Sequence, residues 1–372
     1  MSLSLGLIGF GTVGQAVARR LLRDHAHRLR MTRVCVRCGG RERPPWLPSA
    51  VDWADRFEAL ISPDIDVVVE LVGGVEPART WVRQALLAGK SVVSANKQLI
   101  AEAGTELLAL AARQHRRLLF EGAVAGGVPI VRAVQDGLAG DRLVQVAGVL
   151  NGTCNYILTR MELDGLSFED GLAEAQARGY AEADPSADID GLDARAKLTI
   201  LAAIALGVSV RPGDIPCASL SAVTRADLAR AAASGCTIRQ VSFAERIDGT
   251  RPALRASVGP AVVPRDSPFA RATGCENVIV VRGEYGGETV FSGQGAGGDP
   301  TAVAVVSDLL AIAATHDGAP PRDAPFSAPV EAPPAGLTQW PIVPTSARKG
   351  QSHVSEEPLS LRDPRPSRRS RS

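Results

Sequence analysis

Residues 3–8, LSLGLI, form a short apolar run closed by Gly9, the pattern of a strand buried on both faces. Runs of the same kind recur at 33–36 (RVCV), 65–72 (IDVVVELV), 91–95 and 118–120. Between the later ones, apolar residues return every three to four positions at 77–88 and 99–115, which predicts amphipathic helices. Short links join these segments. Alternating strand and helix of this kind predicts a doubly wound parallel sheet, a Rossmann-type nucleotide-binding domain over residues 1–128.

Past residue 129 the alternation stops. The pattern predicts a helix at 130–138, a strand at 143–149, and helices near 155–163, 168–178 and 221–233. Strands follow at 237–247 and 253–258 about the hairpin signal Asp248-Gly249, then at 277–282 and 288–292. A mixed α+β domain for substrate binding and dimerisation is therefore expected over 129–300. A last helix, 301–314, is expected to return to the first domain. From 317 to 372 prolines multiply and apolar periodicity is lost, which predicts a disordered tail.

Composition narrows the function classes. A length of 372 residues suits two domains, and a net charge of +1 gives no global attraction to nucleic acid or membranes. No uninterrupted apolar run approaches the ~18 residues of a membrane span. The N-terminus opens into a strand without a signal-peptide pattern, so a cytoplasmic protein is expected. Six cysteines in a chain this long suit reduced thiols, and Cys35 and Cys38 lack a second pair to complete a zinc site. The five histidines fall outside every motif, which argues against His-based nucleophilic or metal chemistry.

The chemistry concentrates in three places. Gly9-Phe10-Gly11-Thr12-Val13-Gly14 lies between the first strand and a helical segment, the context in which G-x-G-x-x-G cradles a pyrophosphate at a helix N-terminus. The second strand leads to Arg37, with Arg41 and Arg43 beyond and no carboxylate at its tip, which favours the 2′-phosphate of NADP, with NAD as the alternative. Gly73 and Gly74 follow the 65–72 strand and leave room for a cofactor ring, and Gly293–Pro300 is a second Gly-rich loop ahead of a helix.

The third place is 179–197, GYAEADPSADIDGLDARAK. Glu182, Asp184, Asp188, Asp190 and Asp193 crowd a segment whose first part is expected to avoid helix because of Pro185. A helix is expected from near Gly191, with Asp193 and Lys197 one turn apart on one face. The bland account is a solvated acidic loop and a surface ion pair worth ~0.3–0.5 kcal/mol. Lysine usage argues for more. Only Lys90, Lys97, Lys197 and Lys349 are lysines among 41 basic residues, and a lysine retained in an arginine-rich chain points to a role in proton transfer. Lys97 and Lys197 both lie in motif-like contexts.

Taken together, GFGTVG, ELVGG, SANK, FEGAVAGGVPI, GVLNGTCNYILT, GYAEADPSADIDGLDARAK and GQGAGGDPTAVAVVSDL resemble homoserine dehydrogenase, in that family's order over about residues 5–311. The resemblance implies reversible NAD(P)-dependent oxidation of L-homoserine to L-aspartate 4-semialdehyde, in the route to threonine and methionine. It implies Lys197 as acid/base, with Asp193 orienting the substrate and the lysine and Lys97 as a second polar contact; the neighbouring carboxylate also suits Lys197 to hold a developing alkoxide as a charged donor. Glu182, Asp188, Gly152 and Thr153 would meet the substrate. Residues 9–14, Arg37, Gly73, Ser94, Lys97 and Gly295 would meet the cofactor. Glu121 and the carbonyls of Val124, Gly126 and Val128 match the family's monovalent cation site, usually sodium. A homodimer is implied. The expected enzyme is monofunctional and lacks the C-terminal ACT domain of many members. A Rossmann oxidoreductase on a related amino-alcohol, or a cofactor-binding protein without catalysis, are the competing accounts.

Overall fold

The computed structural model describes residues 2–37, 42–249 and 253–316. The expected tail, along with Cys38 and Arg41, lies outside them. The strand β1 (Leu3–Ile8) is followed by α1 (Thr12–Arg20), β2 (Leu29–Cys35), β3 (Asp52–Ala54) and β4 (Val67–Glu70). Then come α2 (Ala78–Leu87), β5 (Ser91–Ser94), α3 (Lys97–Arg113) and β6 (Leu118–Leu119). All six strands run parallel in the order β3-β2-β1-β4-β5-β6. That is the dinucleotide-binding order, and its switch point lies between β1 and β4, where Ile8 pairs with Glu70. The sequence pattern missed β3, a three-residue edge strand too short to show alternation.

Side-chain alternation splits the strands between two cores. Val67, Val69 and Val93 face one side of the sheet with Leu5, Val17 and Ala18; Val68 and Val92 face the other with Val82, Leu86, Leu99 and Leu107.

The chain continues through α4 (Ile130–Arg132), β7 (Leu143–Val149), α5 (Gly152–Asp164), α6 (Phe168–Ala177), α7 (Ser186–Ile189) and α8 (Leu192–Leu206). It then forms α9 (Arg225–Ala233), β8 (Cys236–Ile247), β9 (Ala253–Pro264), α10 (Pro268–Arg271), β10 (Glu276–Gly283), β11 (Gly287–Gln294) and α11 (Gly298–His316). The five strands make an antiparallel sheet, β11-β10-β7-β8-β9. The fold is therefore a Rossmann-type α/β layer plus a mixed α+β layer. The helix α11 is apolar enough in composition to resemble a membrane span, yet its Ala302, Val305, Val306 and Leu309 pack with Leu5 and Val17 in the first core.

Several elements depart from expectation. A one-turn helix, α7, forms inside the segment expected to avoid helix, because Pro185 sits just ahead of it, where its missing N–H breaks no intrahelical bond. The strand β9 runs to Pro264, beyond residue 258. It is an edge strand, where Pro260 and Pro264 are tolerated because no inner ladder requires their N–H. The helix α5 starts at Gly152, three residues early, because the Asn151 side chain accepts from the Cys154 N–H at 2.8 Å and caps it.

Candidate active site

The first βα turn carries its glycines for steric reasons. A Cβ on Gly14 would sit 2.4 Å from the Gly9 carbonyl oxygen, and Gly9 itself holds φ +94°. A Cβ on Gly11 would meet nothing within 4 Å, which leaves open space before the α1 N-terminus. This turn borders two cavities. One, of about 310 Å³, is lined by Gly9, Phe10, Gly11, Arg37, Asp55, Phe57 and Trp81 among others. The other, of about 580 Å³, is lined by Thr12, Val13, Gly73, Lys97, Gly126, Glu182, Lys197 and Gly295 among others. The two cavities, which share Leu71 and Val72, are thus adjacent at the carboxyl edge of the parallel sheet; the larger is called the chamber.

Lys97 reaches the chamber through a network that begins at Glu70. This buried carboxylate accepts from Ser94 Oγ at 2.6 Å, the Val72 N–H at 2.8 Å and Asn96 Nδ2 at 3.3 Å. Asn96 also donates to the Gly74 carbonyl at 2.6 Å and caps α3 by accepting from the Leu99 N–H at 3.0 Å. Lys97 is the first residue after that cap, so its backbone position is fixed from both sides.

Lys197 arrives from the opposite side. The helix α8 buries Leu198, Ile200, Leu201 and Ala202, which carries Lys197 and Asp193 into the interior. Lys197 Nζ lies 2.8 Å from Asp193 Oδ2 and donates to the Leu150 carbonyl at 2.8 Å. Lys97 Nζ lies 2.5 Å from Asp193 Oδ1. One carboxylate therefore sits between two ammonium groups from different elements. Burial pushes Asp193 up, but attraction to Lys197 and Lys97 outweighs it and holds the carboxyl well below its usual range. Burial pulls Lys97 down, and Asp193, with help from Asp188 and Glu182, more than reverses this. Asp188 is raised by burial, against the hydrogen bond it accepts from Asn151.

A family model for homoserine dehydrogenase matches residues 129–310, and one for the homoserine dehydrogenase NAD-binding domain matches 9–121. A homoserine dehydrogenase from Synechocystis is 40% identical over 84% of this chain and 73% of its own length. The chain belongs to the homoserine dehydrogenase family. A crystal structure of a homoserine dehydrogenase from Thiobacillus denitrificans superposes with TM-score 0.81 at 38% identity, over 87% of this chain and 76% of that one. A hyperthermophilic archaeal homoserine dehydrogenase in complex with NADPH superposes with TM-score 0.70 at 26% identity, over 83% and 97% of the two chains.

Of the other residues that the family resemblance singled out, Gly126 lines the chamber, whereas Gly152, Thr153, Glu121, Val124, Val128, Asp188 and Asp193 are not among its lining residues. Gly152 and Thr153 begin α5, and Thr153 Oγ1 donates to the Tyr180 carbonyl at 2.7 Å. Ser94 is buried beneath the chamber with its hydroxyl on Glu70, not among the lining residues. Glu121 is buried, and its carboxylate accepts from the Val131 N–H at 2.8 Å and the Arg132 N–H at 3.0 Å. Among the nearby loop carbonyls, that of Val128 accepts from the Ile130 N–H at 2.8 Å, and those of Val124 and Gly126 accept no hydrogen bond among the described residues. Asp308 of α11 accepts the Glu121 N–H at 2.8 Å, and burial pushes its carboxyl up to about 7.

Sequence reasoning overlooked several groups. Asp55 faces the same cavity as Arg37, because the unforeseen β3 pairs with β2 and carries it there. Glu70, Asn96 and Asn151 lay inside motifs that were read for their glycines and lysines. The cap signal, an asparagine just before a helix, was the clue available for both asparagines.

Proposed function

We propose that this chain catalyses the reversible NAD(P)-dependent interconversion of L-homoserine and L-aspartate 4-semialdehyde. The observation that carries this is the Lys97–Asp193–Lys197 triplet facing a chamber continuous with a glycine-lined nucleotide turn. Residues 9–14, Gly73 and Gly295 would hold the cofactor, and the open space at Gly11 fits a pyrophosphate. The nicotinamide, when bound, supplies the hydride chemistry.

The chain's own residues supply position and charge. Two N–H groups of Lys197 are taken by Asp193 and Leu150, which leaves one donor for the chamber. In reduction that donor meets the aldehyde oxygen as it gains negative charge, and delivers the proton; in oxidation the proton returns. Lys97 adds a second positive charge beside the same oxygen. Glu182 and Asp188 suit the substrate ammonium. The α5 N-terminus at Gly152 and Thr153 suits its carboxylate. Arg37 favours NADP, in keeping with the NADPH-bound archaeal relative. The carbonyls of Val124 and Gly126, with Glu121 and Val128 beside them, would hold a monovalent cation such as sodium. A cytoplasmic location fits the five free cysteines among the described residues, and the family resemblance implies a homodimer.

The test is an initial-rate assay with L-homoserine at alkaline pH, with NADP and NAD compared. Lys197→Met should lose at least about a thousandfold in kcat while NADPH binding persists. A protein that binds NADPH but fails to turn over homoserine would overturn this reading.

A further inference from the structure

Asn151 is almost fully buried, at 3% exposure, and every polar position of its side chain is engaged. Its oxygen accepts the Cys154 N–H at 2.8 Å and so caps α5. Its amide nitrogen donates to Asp188 Oδ1 at 2.7 Å and to Asp193 Oδ2 at 3.0 Å. These carboxylates come from different elements, α7 and α8, and nothing but this amide joins them directly. Two carboxylates side by side, here the buried Asp193 and the half-buried Asp188, repel unless a donor lies between them. A neutral amide is the one side chain of this size that can serve both carboxylates and cap the helix at once.

We propose that Asn151 is a positioning residue for the reaction. Its amide locks Asp188, on the substrate-ammonium side, to Asp193, on the Lys97 and Lys197 side. The distance between substrate anchor and proton donor is thereby fixed. The roles given to the two acids rest on the proposed homoserine reaction; the bridge itself does not. A loose anchor would let the substrate carbon drift relative to Lys197, and a displacement near 1 Å costs on the order of a hundredfold in rate.

Two substitutions separate bridging from capping. Asn151→Ser keeps a capping oxygen but removes the amide that joins the acids. Asn151→Asp keeps the capping oxygen and places a third carboxylate between them. Both variants should fold and bind NADPH as the unaltered enzyme does, with kcat/KM for homoserine lowered about tenfold to a hundredfold. The diagnostic readout is the pH profile. Asp188 is faced by Asn151, Asp193, Lys197 and Lys97, and the Asn151 hydrogen bond favours its ionised form. Without that bond more alkaline solution is needed to ionise it. The acidic limb of kcat/KM should therefore move to higher pH by about one unit, and further in Asn151→Asp than in Asn151→Ser. Carbon-13 NMR titration of the Asp188 carboxyl, assigned with Asp188→Asn, should move the same way without any substrate. A lowered rate with the limb and the NMR titration both in place would mark Asn151 as a mere cap and overturn the proposal. If the NMR titration shifts but the unaltered protein fails to oxidise homoserine, the bridge stands and the proposed reaction falls.

Discussion

Replacing Asp193 with asparagine keeps the shape of the side chain and removes the one negative charge between two ammonium groups. At separations of 2.5 and 2.8 Å, each pair is worth roughly 6 kcal/mol before desolvation, at an effective dielectric near 20. Most of that offsets the removal of three charges from water. The lysines differ in what they lose, since the Lys97 side chain is 39% exposed and that of Lys197 only 9%. Breaking a buried pair from one side costs about 3–5 kcal/mol; water at Lys97 and the retained amide place this case near 3. For a protein of this size that lowers Tm by roughly 4–5 °C. Asp193 is held below its usual range in the folded state. Its contribution is thus fully present above the unfolded value of 3.8 and lost only as pH falls through the depressed folded value. Calorimetry should therefore show a constant gap between variant and unaltered protein from pH 8 to pH 5. In a Lys97→Met background the same substitution should cost less, by about 1–2 kcal/mol, because one stranded ammonium is gone. A Tm within 2 °C of the unaltered protein, or a gap that closes steadily between pH 7 and pH 5, would refute the shared-carboxylate arrangement.

Other perturbations test other parts of the structure. Gly295→Ala places a Cβ 2.0 Å from Asn277 Cγ, so the chamber wall must move; homoserine turnover should fall at least about tenfold, and Asn277→Gly in the same chain should restore part of it. Asp308 has a folded value raised to about 7, so the unfolded chain gives up its proton first and stability falls as pH rises from about 4 to 7; Asp308→Asn should gain on the order of 1–4 kcal/mol at pH 8 and little at pH 4, by urea unfolding. Arg37→Ala should raise KM for NADPH about tenfold more than KM for NADH; equal changes would show that the cavity shared with Asp55 does not read the 2′-phosphate.

What the sequence disclosed follows from which interactions are local. The individual strands and helices, the glycine turn and the Asp193–Lys197 pair depend on neighbours within a few residues, so periodicity and spacing reveal them. The Lys97–Asp193 contact joins residues from distant elements and leaves no local trace. The sequence marks Lys97 by its rarity and its place after a strand, not by its partner. Asp55 was invisible for a related reason: only the pairing of Cys35 with Ala54 brings the residue after β3 beside Arg37. The one-turn α7 was hidden because turn-forming residues and a helix N-terminus share the same letters, Asp, Ser and Pro.

The triplet also explains why cofactor and substrate elements meet rigidly. Lys97 is fixed by Asn96, Gly74 and Glu70 within the parallel sheet, whereas Asp193 and Lys197 ride on α8. Leu99 and Leu107 of α3 and Leu198 and Leu201 of α8 lie in one continuous buried core. Burying such a side chain contributes about 1.5–3 kcal/mol, so separating the two helices would forfeit several such contacts along with the ion pairs. A hinge between α3 and α8 is accordingly disfavoured. The two lysines then keep their spacing. Both ammonium groups are held by core packing before any substrate arrives, which in the proposed reaction is the condition under which fixed charges stabilise a developing alkoxide without reorganising.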